Sequence, residues 1–195
     1  MALSGIEVGF LLDRQWHLMR GDLRGDMDAS KQPALIALAQ VLHESGAAYA
    51  LIGGVALQAH QSEPRTTVDI DLAVTPLDSL PRDALEASGF VFSGSFAPSE
   101  NWVGPGGVPV QFTGDPALIG AIGRAITMQI GGVPVRVISR SDLLHEKLRA
   151  GADPARRRSK RLQDLADAEG LLEATPELRA ELSDEERHQL DALPG

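Results

Sequence analysis

The stretch from Tyr49 to Val74, YALIGGVALQAHQSEPRTTVDIDLAV, constrains the fold more than any other. The apolar run Ala48 to Ile52 is too short for a helix and reads as a buried strand. Gly53-Gly54 turns the chain into a short helix, Val55 to His60. Gln61 to Pro64 is a loop, because the residue before a proline is pushed away from helical geometry. Thr67 to Val74 then alternates: Val68, Ile70 and Leu72 share one parity, while Thr67, Asp69, Asp71 and Ala73 share the other. Read as a strand, it buries its aliphatics and projects both carboxylates together from the opposite face. Strand, turn, helix and strand in this order call for an α/β (α+β) domain.

The remaining chain fits around that unit. Its 195 residues suit one domain with an appendage, and 43% apolar against 4% aromatic residues imply an aliphatic core. Residues 1–29 read as an N-terminal extension in which Ile6 to Met19 is helical and Trp16 is a packing anchor. Residues 30–138 form the α/β domain and 139–195 a C-terminal helical segment. Ser30 to Ser45 is a helix with Ser30 as cap, Pro33 in the first turn and Gly46 as stop. Leu77 to Ser88 is a helix ended by Gly89, and Phe90 to Trp102 is a weaker β region. Val108 to Thr113 is a third strand entered through Gly106-Gly107. A hairpin joins Thr127–Ile130 to Val133–Ile138 through Gly131-Gly132. Ser139 caps the helix SDLLHEKLRA, a basic run feeds a helix from Ser159 to Glu173, and Ser183-x-x-Glu186 is a capping box.

Composition closes some routes. The absence of cysteine excludes disulfides, thiolate metal sites and a Cys nucleophile, and it fits a reducing compartment. The N-terminus has no signal-peptide pattern, since Glu7 and Asp13 interrupt its apolar run, and no run approaches membrane-spanning length. The expectation is a cytoplasmic soluble protein. A net charge of −9 repels nucleic acid unless a local patch overrides it, and Arg156 to Arg161, with Ser159 its sole uncharged member, is such a patch. It suits a triphosphate or an RNA backbone, or else it is a solvated helix entry partnered by Asp164 and Asp167. The histidines show no close ligand spacing, and there is no Gly-x-Ser-x-Gly or Walker-type loop.

Two features carry chemistry. Glycines between a strand and a helix N-terminus expose backbone N–H groups that suit an anionic phosphate, although glycines also serve plain turns. Two carboxylates two residues apart on a strand repel each other unless a cation lies between them. Such a pair suits Mg²⁺, which takes carboxylates together with phosphate oxygens. The plainer alternative is a polar strand face partnered by Arg65.

Together, LIGGVALQAH and RTTVDIDLAV resemble the nucleotidyltransferase superfamily with the DNA polymerase β-like fold, in particular the AbiEii-type and minimal nucleotidyltransferase-like toxin proteins. The resemblance implies that Gly53 and Gly54 hold a nucleoside triphosphate beside Arg65, and that Asp69 and Asp71 bind Mg²⁺ or Mn²⁺. LLHEKLRA and KRLQDLADAEGLL are similar to the helical segment of such proteins. That gives Lys147 a catalytic and phosphate-binding role, with Asp164 or Asp167 orienting it. The implied reaction transfers a nucleoside monophosphate, from ATP or another NTP, to a hydroxyl of RNA (tRNA in particular) or of a protein. The implied setting is toxin–antitoxin or phage defence, with a cognate antitoxin as partner. One departure stands out. The family commonly has a third carboxylate on a later strand, and parity puts Gln111 there, with Asp115 beyond the strand end. A neutral amide can ligate but cannot act as a base. This leaves two alternatives: a degenerate, non-catalytic member that binds nucleotide or a partner protein, and a plain nucleic-acid-binding module built on Arg156–Arg161.

Overall fold

The computed structural model describes residues 4–19, 30–61 and 65–192. Among them, strands β1 (Tyr49–Ile52), β2 (Ile70–Val74), β3 (Val91–Phe96), β4 (Ser99–Gly104), β5 (Val108–Thr113), β6 (Ile126–Ile130) and β7 (Val133–Val137) form one mixed sheet. Its spatial order is β3-β4-β5-β2-β1-β7-β6. The helices are α1 (Gly5–Met19), α2 (Gln32–Ser45), α3 (Gly53–His60), α4 (Arg82–Ala87), α5 (Ile119–Arg124), α6 (Arg140–Ala152), α7 (Arg158–Ala174) and α8 (Asp184–Asp191). The fold is α/β, a mixed sheet flanked by helices, and no helix among the described residues is long and apolar enough to cross a membrane.

Three pairings set up the site. β1 runs antiparallel to β2 with Ile52 opposite Asp71, and β2 runs parallel to β5 with Asp71 opposite Gln111. β4 is antiparallel to β5 with Asn101 opposite Gln111. One row therefore crosses the sheet from the end of β1 through Asp71 and Gln111 to Asn101. Its neighbours of opposite parity, Ile70, Leu72, Val110, Phe112 and Trp102, are all buried in the core. The β6–β7 hairpin turns at Gly131 and Gly132, whose φ values of 59° and 80° match the left-handed pair of a type I′ turn.

The helices cover this frame. α1 packs on α3, α2 packs on β7, and α6 packs on both α3 and α7. The expected N-terminal helix thus docks on the body, where the buried Lys31 ammonium donates to Asp13 on α1. The side chain of Trp16, residues 20–29 and residues 62–64 lie outside the described residues.

Several sequence expectations need correction. Ser30 does not cap α2: Lys31 holds that position and no side chain caps it. The helix after β1 starts at Gly53, two residues earlier than expected. The second strand begins at Ile70, so Val68, 65% exposed, is not a core residue. The helix expected from Leu77 to Ser88 is interrupted at Pro81, which lacks an N–H; a 3-10 turn, Leu77–Ser79, precedes α4. The short α5 was not foreseen. The Ser139 cap and the capping box of Ser183 and Glu186 are both present.

Candidate active site

The site begins where β1 meets α3. Gly53 has φ +64°, and a Cβ there would lie 2.2 Å from Asp71 Oδ2. A Cβ on Gly54 would lie 2.5 Å from Thr67 Oγ1. Both glycines are therefore required by close approach, and they bring the first turn of α3 against the acidic strand. Thr67 Oγ1 donates to Asp69 Oδ1 at 2.9 Å, fixing that carboxylate just before β2 starts. Asp69 and Asp71 are both half-buried and face the same cleft.

Burial raises the Asp71 carboxyl to about 7, and the neighbouring charge of Asp69 adds to it, while Lys147 works against the shift. Lys147 and Lys160 offset the repulsion of the pair only in part, and a bound cation would offset it further.

The opposite wall comes from α6 and α7. Lys147 is buried and donates from Nζ to Asp164 Oδ1 at 2.9 Å, and it lies 3.0 Å from Asp167 Oδ2. Burial alone would lower its pKa, but Glu146, Asp167 and Asp164 outweigh that and raise it. Arg65 holds Asp167 with two bonds, Nε to Oδ1 at 2.6 Å and Nη2 to Oδ2 at 2.8 Å. Arg156 Nε donates to Asp164 Oδ2 at 2.8 Å. Burial opposes ionisation of Asp167, yet Arg65 and Lys147 bring its pKa below the ordinary value. Gln58 on α3 donates to the Arg65 carbonyl at 2.8 Å and so ties the loop to the body. The side chain next to Lys147 is an orphan: Glu146 Oε2 is buried with no hydrogen-bond partner among the described residues, and burial raises its pKa.

These walls enclose a cleft of about 370 Å³. Gly54, Arg65, Asp69, Asp71 and Lys147, all singled out from the sequence, line it together, and Gly53 abuts Asp71. Arg156, Arg157 and Lys160 from the basic run also line it, which joins that run to the same site. Gln111 faces the cleft too, as parity implied, and its amide donates to Asn101 Oδ1 at 3.2 Å. Asp115 is elsewhere, paired with Arg149 at 2.8 Å. Among the described residues no group of three or more His, Cys, Asp or Glu side chains could hold a metal ion. Thr67 and Asn101 were not anticipated as site residues. The strand parity shared by Thr67 with Asp69 was an available signal, whereas Asn101 depends on the β4–β5 register.

No family model matches this chain, and no curated protein sequence matches it. Solved structures do. A nucleotidyltransferase-like protein from Paracoccidioides brasiliensis superposes with a TM-score of 0.51 at 21% identity, over 83% of this chain and 92% of that one. The antibiotic-resistance factor ANT(2'')-Ia gives a TM-score of 0.54 at 16% identity, over 83% and 98% of the two chains. The lincosamide antibiotic adenylyltransferase LnuA, solved with lincomycin bound, gives 0.53 at 13% identity, over 74% and 98%. At these identities the likeness concerns architecture: the chain has the fold of the nucleotidyltransferase superfamily.

Proposed function

We propose that this protein is a Mg²⁺-dependent nucleotidyltransferase whose site is the cleft between Gly53–Asp71 and α6–α7. The observation that carries this reading is the meeting of one carboxylate pair, one glycine-built helix start and a set of cations in a single cleft. Asp69 and Asp71 supply two carboxylates, too few for a protein-only metal cage. They suit an ion that completes its shell from phosphate and water, as Mg²⁺ does. When bound, the ion neutralises charge on the reacting phosphate and on the leaving group.

The chain's own groups do the rest. The Gly53–Gly54 turn presents backbone to the triphosphate, and Lys147, Arg157 and Lys160 supply positive charge on its far side. Arg65 and Arg156 are engaged by Asp167 and Asp164, so they orient the Lys147 cluster as well as lining the cleft. The acceptor hydroxyl oxygen bonds to the α-phosphorus, the bond from that phosphorus to the bridging oxygen breaks, and pyrophosphate leaves. The hydroxyl proton passes to solvent or to a carboxylate, since Gln111 cannot take it. The resemblance to AbiEii-type proteins supports RNA, tRNA in particular, or a protein as acceptor, in a toxin or phage-defence role with a cognate antitoxin. The fold neighbours include adenylyltransferases, which favours ATP as donor.

The rival reading, a degenerate member that binds nucleotide without turnover, is favoured by Gln111 alone. Nucleotide binding by equilibrium dialysis, run beside radiolabelled transfer with Mg²⁺ or Mn²⁺, separates the two. Binding with turnover supports the enzyme, and binding with no turnover over all acceptor classes supports the rival.

A further inference from the structure

The N-terminal helix bears on the end of α3. Ile6, Gly9, Phe10 and Asp13 recur at helical spacing on α1, and all four are buried. Gly9 leaves no space for a larger residue: a Cβ on it would lie 2.5 Å from Cδ of Gln58. A Cβ on Gly5 would lie 2.5 Å from the Gln58 carbonyl oxygen and 1.9 Å from that of Gln61. Gln58 itself is fully buried, and its Nε2 donates to the Arg65 carbonyl at 2.8 Å. Arg65 in turn forks onto Asp167, whose Oδ2 lies 3.0 Å from Lys147 Nζ. An unbroken line of contacts thus runs from α1, through one buried amide, to the ammonium of a residue that lines the cleft.

We propose that Gln58 is a positioning residue for nucleotide binding: backed by α1, it fixes the backbone at Arg65 and, through Asp167, the place of the Lys147 ammonium. The proposal rests on the nucleotidyltransferase reading and deepens it, since α1 becomes part of the working site rather than an appendage. Chemistry restricts position 58 to a donor. A carbonyl oxygen only accepts, so the amide nitrogen of Gln58 must be the group that faces Arg65. Packing restricts it further. With Gly9 at contact distance behind it, the carboxamide has no room to swing away from that carbonyl. Arg65 needs such a hold, because its side chain is 34% exposed while its partner Asp167 is buried. Pinning a long, partly exposed side chain costs rotamer freedom, and a fixed backbone beneath it lowers that cost. The two-bonded fork keeps its geometry only while its base stays in place. Gln58 does not line the cleft, so its effect reaches the nucleotide through Arg65.

The test uses the full chain as wild type, Gln58→Met, Gly9→Ala, Arg65→Gln and the double variant Gln58→Met/Arg65→Gln. Gln58→Met keeps the volume and removes the donor, whereas Gly9→Ala keeps the donor and displaces it. ATP binding with Mg²⁺ is measured by equilibrium dialysis, and labelling of Lys147 by an amine-specific reagent is mapped without nucleotide. Gln58→Met and Gly9→Ala should each weaken ATP binding about fivefold, the loss of one hydrogen bond, and raise Lys147 labelling. Gln58→Met alone decides if Gly9→Ala does not fold. Arg65→Gln should weaken binding at least as much and the double variant no further, because Gln58 acts through that guanidinium. Leu11→Ala, on the exposed side of α1, and Val41→Ala, a core deletion on α2, should leave both readouts as in wild type. Additive losses in the double variant would overturn the proposal, as would wild-type affinity in Gln58→Met or a matching loss in Val41→Ala. If the wild type binds no ATP, the nucleotidyltransferase reading itself fails. Lys147 labelling then decides the placement by itself, and labelling unchanged by Gln58→Met would overturn it.

Discussion

Gly53 and Asp71 are so close that the smallest possible side chain at position 53 would lie 2.2 Å from Asp71 Oδ2. The backbone at Gly53 also has φ +64°, which costs a non-glycine residue roughly 1–2 kcal/mol. Gly53→Ala should therefore displace Asp71 and abolish nucleotide transfer while lowering stability only by about that amount. Thermal melting beside a transfer assay checks this. Wild-type transfer in the variant would show that Asp71 need not hold its present place.

The buried Lys147 cluster makes a separate prediction about stability. Removing its ammonium with Lys147→Met leaves Asp164 and Asp167 leaning on Arg156 and Arg65, each a partly exposed partner. Breaking a buried pair typically costs about 3–5 kcal/mol, and the remaining arginines should hold the loss near the lower figure. Lys147→Arg should not restore wild-type stability, since a planar fork replaces a point charge in a buried site. Urea denaturation of the three proteins measures it.

His60 predicts how stability depends on pH. Its Nε2 donates to the Ile138 carbonyl at 2.7 Å, tying α3 to the end of β7. Burial lowers its pKa from the ordinary 6.5, outweighing that hydrogen bond, which acts to raise it. The folded protein thus resists protonation there more than the unfolded chain does. The stabilisation is complete above pH about 6.5 and is lost as pH falls through the lower folded value. His60→Gln should remove this contribution to the slope and cost about 1 kcal/mol at neutral pH. Melting temperature against pH for both proteins is the measurement, and identical slopes would contradict the assignment.

The first half of the site was readable from local sequence because its signals are local. Strand parity aligned Asp69 with Asp71 and pointed Gln111 at them, and two adjacent glycines marked the tight junction. Parity misled only at Val68, which precedes the strand and lies uncovered. The second half depends on long-range contacts. Arg65 and Asp167 are 102 positions apart, and no periodicity could pair them. Helix α5 was hidden for a different reason: Gly120 and Gly123 lower its intrinsic propensity, and packing of Ala121 and Ile122 into the core compensates. The placement of Asn101 beside Gln111 needed the β4–β5 register, which turn residues alone do not determine.

Gln111 is the position where a third carboxylate can be supplied by design. Gln111→Glu places a charge opposite Asp71 in the sheet register. Divalent-ion affinity should rise by about tenfold, the effect of one added anionic ligand worth about 1.4 kcal/mol. The ion-free protein should become less stable, because three carboxylates repel more than two do. Mn²⁺ titration followed by electron paramagnetic resonance reports the first effect and melting without metal reports the second. Unchanged Mn²⁺ affinity would mean that position 111 does not face the ion.

On the function proposed above, Asp69 and Asp71 hold the ion that makes this cleft an enzyme. Transfer of labelled nucleoside monophosphate, measured with Mg²⁺ for wild type, Asp69→Asn and Asp71→Asn, tests it directly. Transfer should be present in wild type and lost in both variants, while both remain folded and at least as stable because a like-charge contact is gone. Transfer that continues unchanged in either variant would contradict the account.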